Sequence, residues 1–275
     1  MTQEKLPHGL QDPFKKNGFK SIKQSVSTSL TEIRTGMYGK RRVYPTKWER
    51  LNTNLLGGLQ PGKMYVVAGR PGVGKSAFSN QMIFDLLDKN HEKQLTVLYW
   101  SFEMPGYQQI LRAGAKGANR QISELLSVQE TLKQEVYEKY RDEVIKYNKY
   151  PIYFNNVPRD IEFIKTTNVE VTNKYPDTTI INVFDHSRLI LSGKDQELQK
   201  LNEVSKGCMW MQAKIGCINI LLSQLNRNIE QEHRAKAQYQ PLLTDLFGGD
   251  SIGQDAHVVL MLQRPNDLYG ITDAY

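Results

Sequence analysis

Cysteine is nearly absent from this 275-residue sequence: Cys208 and Cys217 are the only two, and their spacing matches neither a CxxC redox pair nor a zinc knuckle. A disulfide-stapled secreted fold is thereby excluded, and a reducing, cytosolic compartment is expected. Long hydrophobic runs are missing as well. Nowhere do ~18 uncharged apolar residues follow one another, and the opening MTQEKLPHGLQDPF holds no apolar core of signal-peptide length, so neither membrane spanning nor secretion is expected. Proline is sparse, at 11 against 20 glycines, and no internal repeat or low-complexity tract is present, which rules out fibrous and disordered classes. What remains, with 39% apolar and 24% charged residues, is an ordinary globular composition, long enough for one large α/β domain preceded by an arm.

The net charge of +7 is uneven. Residues 1–50 hold 11 Lys/Arg against 4 Asp/Glu, whereas residues 51–275 hold 25 of each. An arm of that charge either meets an anionic partner such as nucleic acid, releasing condensed counterions, or is a solvated tail. Pro7, Gly9, Pro13 and Gly18 argue against regular structure before Ser21. From Ser21 to Met37, Ile22, Val26, Leu30, Ile33 and Met37 step by three and four, the mark of an amphipathic helix whose apolar face needs a partner, either its own domain or a neighbouring subunit. Thereafter short apolar runs alternate with helical patterns. Strands are expected at Met64–Ala68, Leu95–Ser101, Pro151–Phe154, Thr179–Phe184, Cys217–Leu222 and His257–Leu262, with a helix ending in Cys208, Met211 and Ile215 before the fifth. This alternation predicts a mostly parallel sheet covered by helices on both faces, with chemistry at the carboxyl ends of its strands.

The sharpest local signal is the segment Gly69-Arg70-Pro71-Gly72-Val73-Gly74-Lys75-Ser76-Ala77. Its GxxxxGK[ST] spacing sits directly after a β-run and before a helical pattern. Glycines there let successive backbone N–H groups turn toward a phosphate, helped by the positive end of the following helix. Lys75 should reach the β- and γ-phosphates of ATP, and Ser76 should ligate Mg²⁺. Asp185 ends the run Ile180–Phe184, where a carboxylate suits the same Mg²⁺ better than it suits packing. Glu103 follows the strand LTVLYWS, placed to activate an attacking water. Gln224 ends a third apolar run, and its neutral amide can sense a γ-phosphate without competing for the metal. The loop beyond it, with Arg227, Arg234, Lys236 and the pair Gly248-Gly249, reads as mobile and partly basic.

Taken in order, GRPGVGKS, SFEM, the strand ending at Asp185, LLSQLNR and DLFGGDSIGQDAHVVLML resemble the motif series of the DnaB-type replicative helicase motor domain. The approach TKWERLNTNLLGGLQPGKMYVVAG is also similar, so the resemblance covers roughly Tyr44 to Pro265, and the arm resembles the family's linker helix. It implies a RecA-like P-loop NTPase, with residues 44–275 as an ATPase motor domain incomplete at its C-terminal end and residues 1–43 as a basic arm. It further implies a hexameric homo-oligomeric ring that translocates on single-stranded DNA and unwinds duplex, using ATP and Mg²⁺ in a bacterial or phage-infected cytosol, with primase and a helicase loader as partners. Lys75, Glu103 and Gln224 take the catalytic roles, Ser76 and Asp185 the metal, and Arg227, Arg234, Lys236, Phe247, Gly248 and Gly249 the DNA-facing loop. Three departures stand out. Phe247 and Gly248 occupy positions where the family commonly has Arg-Glu, His257 stands where an acidic residue is usual, and residues 265–275 offer no equivalent of the Lys and Arg that reach a neighbour's ATP site. The residues ahead of the arm's helix show no helical pattern of the primase-binding domain, and a minimal or viral form is expected. Two rival classes share the phosphate loop: a RecA-like recombinase or clock-type ATPase, and a non-catalytic ATP-binding ring scaffold. The SQLNR and Gly-Gln-Asp-Ala segments favour the helicase over the first, whereas the lack of the trans-acting Lys and Arg favours the scaffold for the isolated chain.

Overall fold

The computed structural model describes residues 18–129, 131–231, 234, 239–247 and 249–264. Two compact units divide the chain, Met1–Arg42 and Val43–Tyr275. In the first, helix α1 (Ile22–Met37) begins from a capping box. The Ser21 hydroxyl accepts from the Gln24 N–H, and the Gln24 side chain accepts from the Ser21 N–H at 2.8 Å, so two donors at the start of the helix are satisfied reciprocally.

The second unit contains helix α2 (Glu49–Asn54) and then alternating elements: β1 (Met64–Gly69), α3 (Lys75–Lys89), β2 (Leu95–Ser101), α4 (Gly106–Gly117), α5 (Ile122–Leu125), α6 (Gln134–Ile145), β3 (Ile152–Asn155), α7 (Ile161–Lys174), β4 (Thr179–Asp185), α8 (Glu197–Ile215), β5 (Ile218–Gln224), α9 (Gly249–Asp255) and β6 (Val258–Leu262). The strands form one sheet in the order β3-β2-β4-β5-β1-β6, and every strand pairing is parallel. All six expected strands are present, with ends that differ for physical reasons. Pro151 has no N–H to give a ladder and contributes only its carbonyl, which accepts from Val97 at 2.8 Å. β5 runs on through Ser223 and Gln224 because Ala68 and Gly69 pair with them.

Both faces of the sheet are covered, which is why its strands are continuously apolar rather than alternating. Met64, Val66, Trp100, Phe184 and Leu221 point to one side and pack under α7 and α8. Tyr65, Val67, Val97, Val183 and Ile220 point to the other, against Met82, Ile83 and Leu86 of α3 and against Leu59. Each fully buried aliphatic side chain contributes roughly 1.5–3 kcal/mol relative to exposure. One polar network interrupts the first core. Asn182 on β4 accepts from the Trp100 indole and from Asn168 on α7, both at 3.1 Å, and donates to Asn168 at 2.9 Å and to Asn219 on β5 at 3.0 Å. All of these groups are buried, so every bond in the network counts.

Candidate functional site

Strand register sets the site. Ser101 at the end of β2 lies opposite Asp185 at the end of β4, and Gly69 at the end of β1 lies opposite Gln224 at the end of β5. These carboxyl ends form the edge at which open parallel sheets bind ligands. Between β1 and α3 the chain bends through Gly72 and Gly74, with φ of 81° and 99°, a left-handed backbone that side chains with a Cβ resist. Gly74 is also the N-cap of α3, and a helix N-terminus leaves N–H groups free for an anion. At Gly69 an added Cβ would sit 2.5 Å from Val73 Cγ1, so this glycine is required by close approach.

The ammonium of Lys75 donates to the carbonyls of Gly69 at 3.0 Å and Arg70 at 3.3 Å. Burial lowers its pKa; Asp185 and Glu103 oppose that shift and Arg70 adds to it. The Ser76 hydroxyl donates to Asp185 Oδ1 at 3.1 Å, while Asp185 Oδ2 is buried with no hydrogen-bond partner. Burial raises the Asp185 pKa, the Ser76 hydroxyl opposes the rise, and the nearby Glu103 charge adds to it. Glu103 sits in the turn after β2, where Phe102 N–H donates to the Asp185 carbonyl at 3.0 Å and the Ser101 hydroxyl donates to the Met104 carbonyl.

One cavity of about 380 Å³ is lined by Pro71, Gly72, Gly74, Lys75, Ser76 and Ala77 together with Glu103, Asp185 and Gln224. Thus the loop and three separate strand ends meet where the sequence placed them. Two members of the loop turn their side chains elsewhere. Arg70 donates to Glu230 at 2.7 Å and to the Leu225 carbonyl at 2.9 Å, tying the loop to the segment after β5, and Val73 is buried. Met104, the last residue of SFEM, also lines the cavity, as do Arg112 and His186, which sequence reasoning did not name. Gln109 was missed too: fully buried on α4, it donates to Ser101 Oγ at 3.3 Å and its backbone carbonyl accepts from Asn80 of α3 at 3.0 Å, bracing the β2 end. Arg112 and Gln109 fall on one turn of α4, and what brings that turn to the site is the packing of α4 beside the β2 end. A larger hollow of about 550 Å³ lies between α3, α4 and α6, and part of its charge pairs internally, Lys47 with Asp85 at 2.9 Å and Lys146 with Glu143 at 2.8 Å.

Among the described residues expected to face DNA, Arg227, Arg234 and Phe247 do not share one exposed surface. Arg227 is exposed in a short 3-10 turn, Arg227–Glu230. Arg234 is instead committed inward: its guanidinium donates to both carboxylate oxygens of Asp245, at 3.1 and 3.0 Å, and to the Gln240 carbonyl at 2.6 Å. Phe247 is half-buried beneath Arg188, whose guanidinium carbon lies 4.5 Å from the ring centroid. Gly249 opens α9, and Lys236 and Gly248 lie outside the described residues. His257 does what packing needs: its N–H donates to the Met64 carbonyl at 2.9 Å and its Nδ1 accepts from the Met64 N–H at 3.3 Å.

A glycine-bent loop opening a helix, a buried carboxylate bonded to that loop's Ser76, and a second carboxylate on the adjoining strand end define a RecA-like P-loop nucleotide site. The model of the DnaB-like helicase C-terminal domain matches residues 44–273, and the chain belongs to that family. Replicative DNA helicase DnaB of Rickettsia conorii is 25% identical over 275 residues, covering 96% of this chain and 54% of the relative. The same-named protein of Leifsonia xyli subsp. xyli is 28% identical over 262 residues, covering 88% and 52%. The chain therefore spans about half the length of the curated relatives it matches. Among solved structures, one described as an ATPase domain superposes with a TM-score of 0.80 at 21% identity, over 92% of this chain and 87% of that one. A DnaB-like replicative helicase whose structure was described with its interactions with primase gives 0.78 at 20% identity, over 93% and 59%. Both share the fold.

Proposed function

We propose that this chain is the ATP-hydrolysing motor of a replicative DNA helicase, moving along single-stranded DNA as a homo-hexameric ring. The observation that carries the reading is the convergence of Lys75, Ser76, Glu103, Asp185 and Gln224 on one cavity at the carboxyl edge of the sheet. Family membership and relatives named as replicative DNA helicases supply its direction. Residues 44–275 are the motor and residues 1–43 the basic arm that carries its linker helix.

In this reading the backbone of Gly69 to Ala77 cradles the polyphosphate of ATP, and Lys75 turns its ammonium from the loop carbonyls to the β- and γ-phosphates. The Ser76 hydroxyl and the Asp185 carboxylate, with its orphaned buried Oδ2, are an oxygen donor pair suited to Mg²⁺, and these are the residues that would hold it. When bound, the ion neutralises phosphate charge. Glu103 accepts the proton of the attacking water. Gln224 senses the γ-phosphate through its amide, and its own backbone carbonyl accepts from Phe247 N–H at 2.9 Å, so its position bears on the loop beyond. Arg227 and the backbone near Gly249 contact DNA phosphates without reading bases, as a processive motor requires, while Arg234 braces the loop through Asp245. Primase and a loader are partners of the assembled ring, and the cytosol, where its DNA substrate lies, is its compartment. No helix among the described residues is long and apolar enough to cross a membrane.

Steady-state ATP hydrolysis with and without single-stranded DNA tests the reading. Lys75→Ala should abolish ATP binding and turnover, while Glu103→Gln should keep binding and lose about 10²–10⁴-fold in turnover. Binding without turnover or DNA response in the unsubstituted chain would instead establish a ring scaffold, and pairing of homologous strands without fork unwinding would establish a recombinase.

A further inference from the structure

We propose that Arg188 is a positioning residue that couples the nucleotide-sensing amide of Gln224 to the loop carrying Phe247, and so sets how strongly single-stranded DNA accelerates ATP turnover. The second half of this statement rests on the motor reading above; the coupling itself does not.

Arg188 sits in the 3-10 turn Ser187–Leu189, immediately after Asp185 and β4. The turn is fixed to the sheet by the Ser187 hydroxyl, which donates to the Leu222 carbonyl at 3.2 Å. From there the guanidinium meets three elements at once. Its Nη1 donates to Gln224 Oε1 at 3.4 Å, its Nε pairs with the Glu197 carboxylate in the first turn of α8, and its face covers the Phe247 ring at 4.5 Å. Edge to carboxylate, edge to amide and face to ring is a set that a planar five-donor fork satisfies and an ammonium does not.

The partners differ in what they touch. Gln224 lines the phosphate cavity, Glu197 opens α8, and Phe247 follows the 3-10 turn Leu243–Asp245. Phe247 is tied to Gln224 twice, through its backbone N–H and through Arg188. A displacement of the Gln224 amide toward a γ-phosphate must either carry Arg188 or release it, and either event changes the support under the Phe247 ring.

Arg188→Ala and Arg188→Lys in the 275-residue chain test this. DNA-free turnover and the KM for ATP should stay within about threefold of the unsubstituted chain. The acceleration by single-stranded DNA should fall about tenfold in Arg188→Ala, a coupling of ordinary size, and by at least about threefold in Arg188→Lys, which keeps the Glu197 pair but loses the stack. Equal losses with and without DNA, or full retention of acceleration, would overturn the proposal. A second readout is independent of DNA: with Phe247→Trp as reporter, a non-hydrolysable ATP analogue should shift the emission relative to ADP, and adding Arg188→Ala should abolish the shift. If the unsubstituted chain shows no DNA acceleration, the motor reading fails and the emission decides alone. A shift that depends on Arg188 upholds the coupling; a shift that survives, or none at all, refutes it. Should Arg188→Ala not fold, Arg188→Lys carries both measurements.

Discussion

Asn182→Leu removes a buried amide while keeping the side chain's heavy-atom number and branching, so its cost reports the polar network rather than a cavity. Asn182 serves Trp100, Asn168 and Asn219, and the substitution strands the Trp100 indole N–H and Asn168 Oδ1 and leaves Asn219 Oδ1 with only the weak Cys217 thiol at 3.5 Å, all on residues with 0–1% exposure. Each stranded group costs about 1–3 kcal/mol. The outer ends of the network survive, since Asn168 still donates to Ile164 and Asn219 to Cys208, and the buried leucine offsets about 1.5–3 kcal/mol. The net loss is about 2–4 kcal/mol, against a total stability of about 5–15 kcal/mol for a domain. Urea unfolding should show the midpoint falling by about 1 M with the slope unchanged. Trp100→Phe, which deletes the indole N–H, should then cost less in the Asn182→Leu background than alone, by about 1 kcal/mol. A loss under about 1 kcal/mol for Asn182→Leu, or strict additivity in the cycle, would refute the claim that the bonds are energetically linked.

Three further outcomes follow from the same geometry. Arg234→Ala leaves the Asp245 carboxylate buried without its cation and should cost about 3 kcal/mol; hydrogen exchange at residues 239–247 should accelerate, Asp245→Asn should recover part of the loss, and unchanged protection would count against the brace. Asp185→Asn should abolish Mg²⁺-dependent turnover yet raise the melting midpoint of the ligand-free chain. Burial lifts the folded pKa above the unfolded one, so the ionised carboxyl costs stability at neutral pH, and a lowered midpoint would contradict this. Cys208 and Cys217 are buried, with the Cys217 thiol pushed up to about 12 and that of Cys208 well raised; labelling by an aromatic disulfide at about pH 8 should track unfolding, and rapid reaction of the native chain would show the site to be open.

What was legible in the sequence was local or periodic. The phosphate loop is a run of nine consecutive residues whose glycines declare its backbone, and the strands are continuous apolar runs because both faces of the sheet are covered. Asp185, Glu103 and Gln224 were legible because each follows such a run, and parallel strands bring their carboxyl ends to one edge. What was not legible depends on packing between distant elements. Gln109, Arg112 and His186 reach the site only through the way α4 lies on β2 and the way β4 ends. Arg234 read as a DNA-facing loop cation because nothing local marks Asp245 as its partner, and that pairing requires the segment 245–247 to return and bond to 224–226.

The same strand shows why core and site are not separate designs. Along β4 and its exit, Asn182, Asp185 and Arg188 follow at intervals of three. Asn182 faces the core with Ile180 and Phe184, locked to α7, β2 and β5 by its amide. Asp185 ends the strand in the phosphate cavity, and Arg188 leaves it toward Gln224 and Phe247. A slip of one residue would turn Asn182 to the opposite face and withdraw Asp185 from Ser76, because side chains alternate with a period of two. An apolar residue at 182 would pack with comparable volume but would leave that slip opposed only by shape. The four amide bonds make the slipped register cost buried unsatisfied groups as well, so the polar network in the core holds the carboxylate at its 3.1 Å contact with the loop.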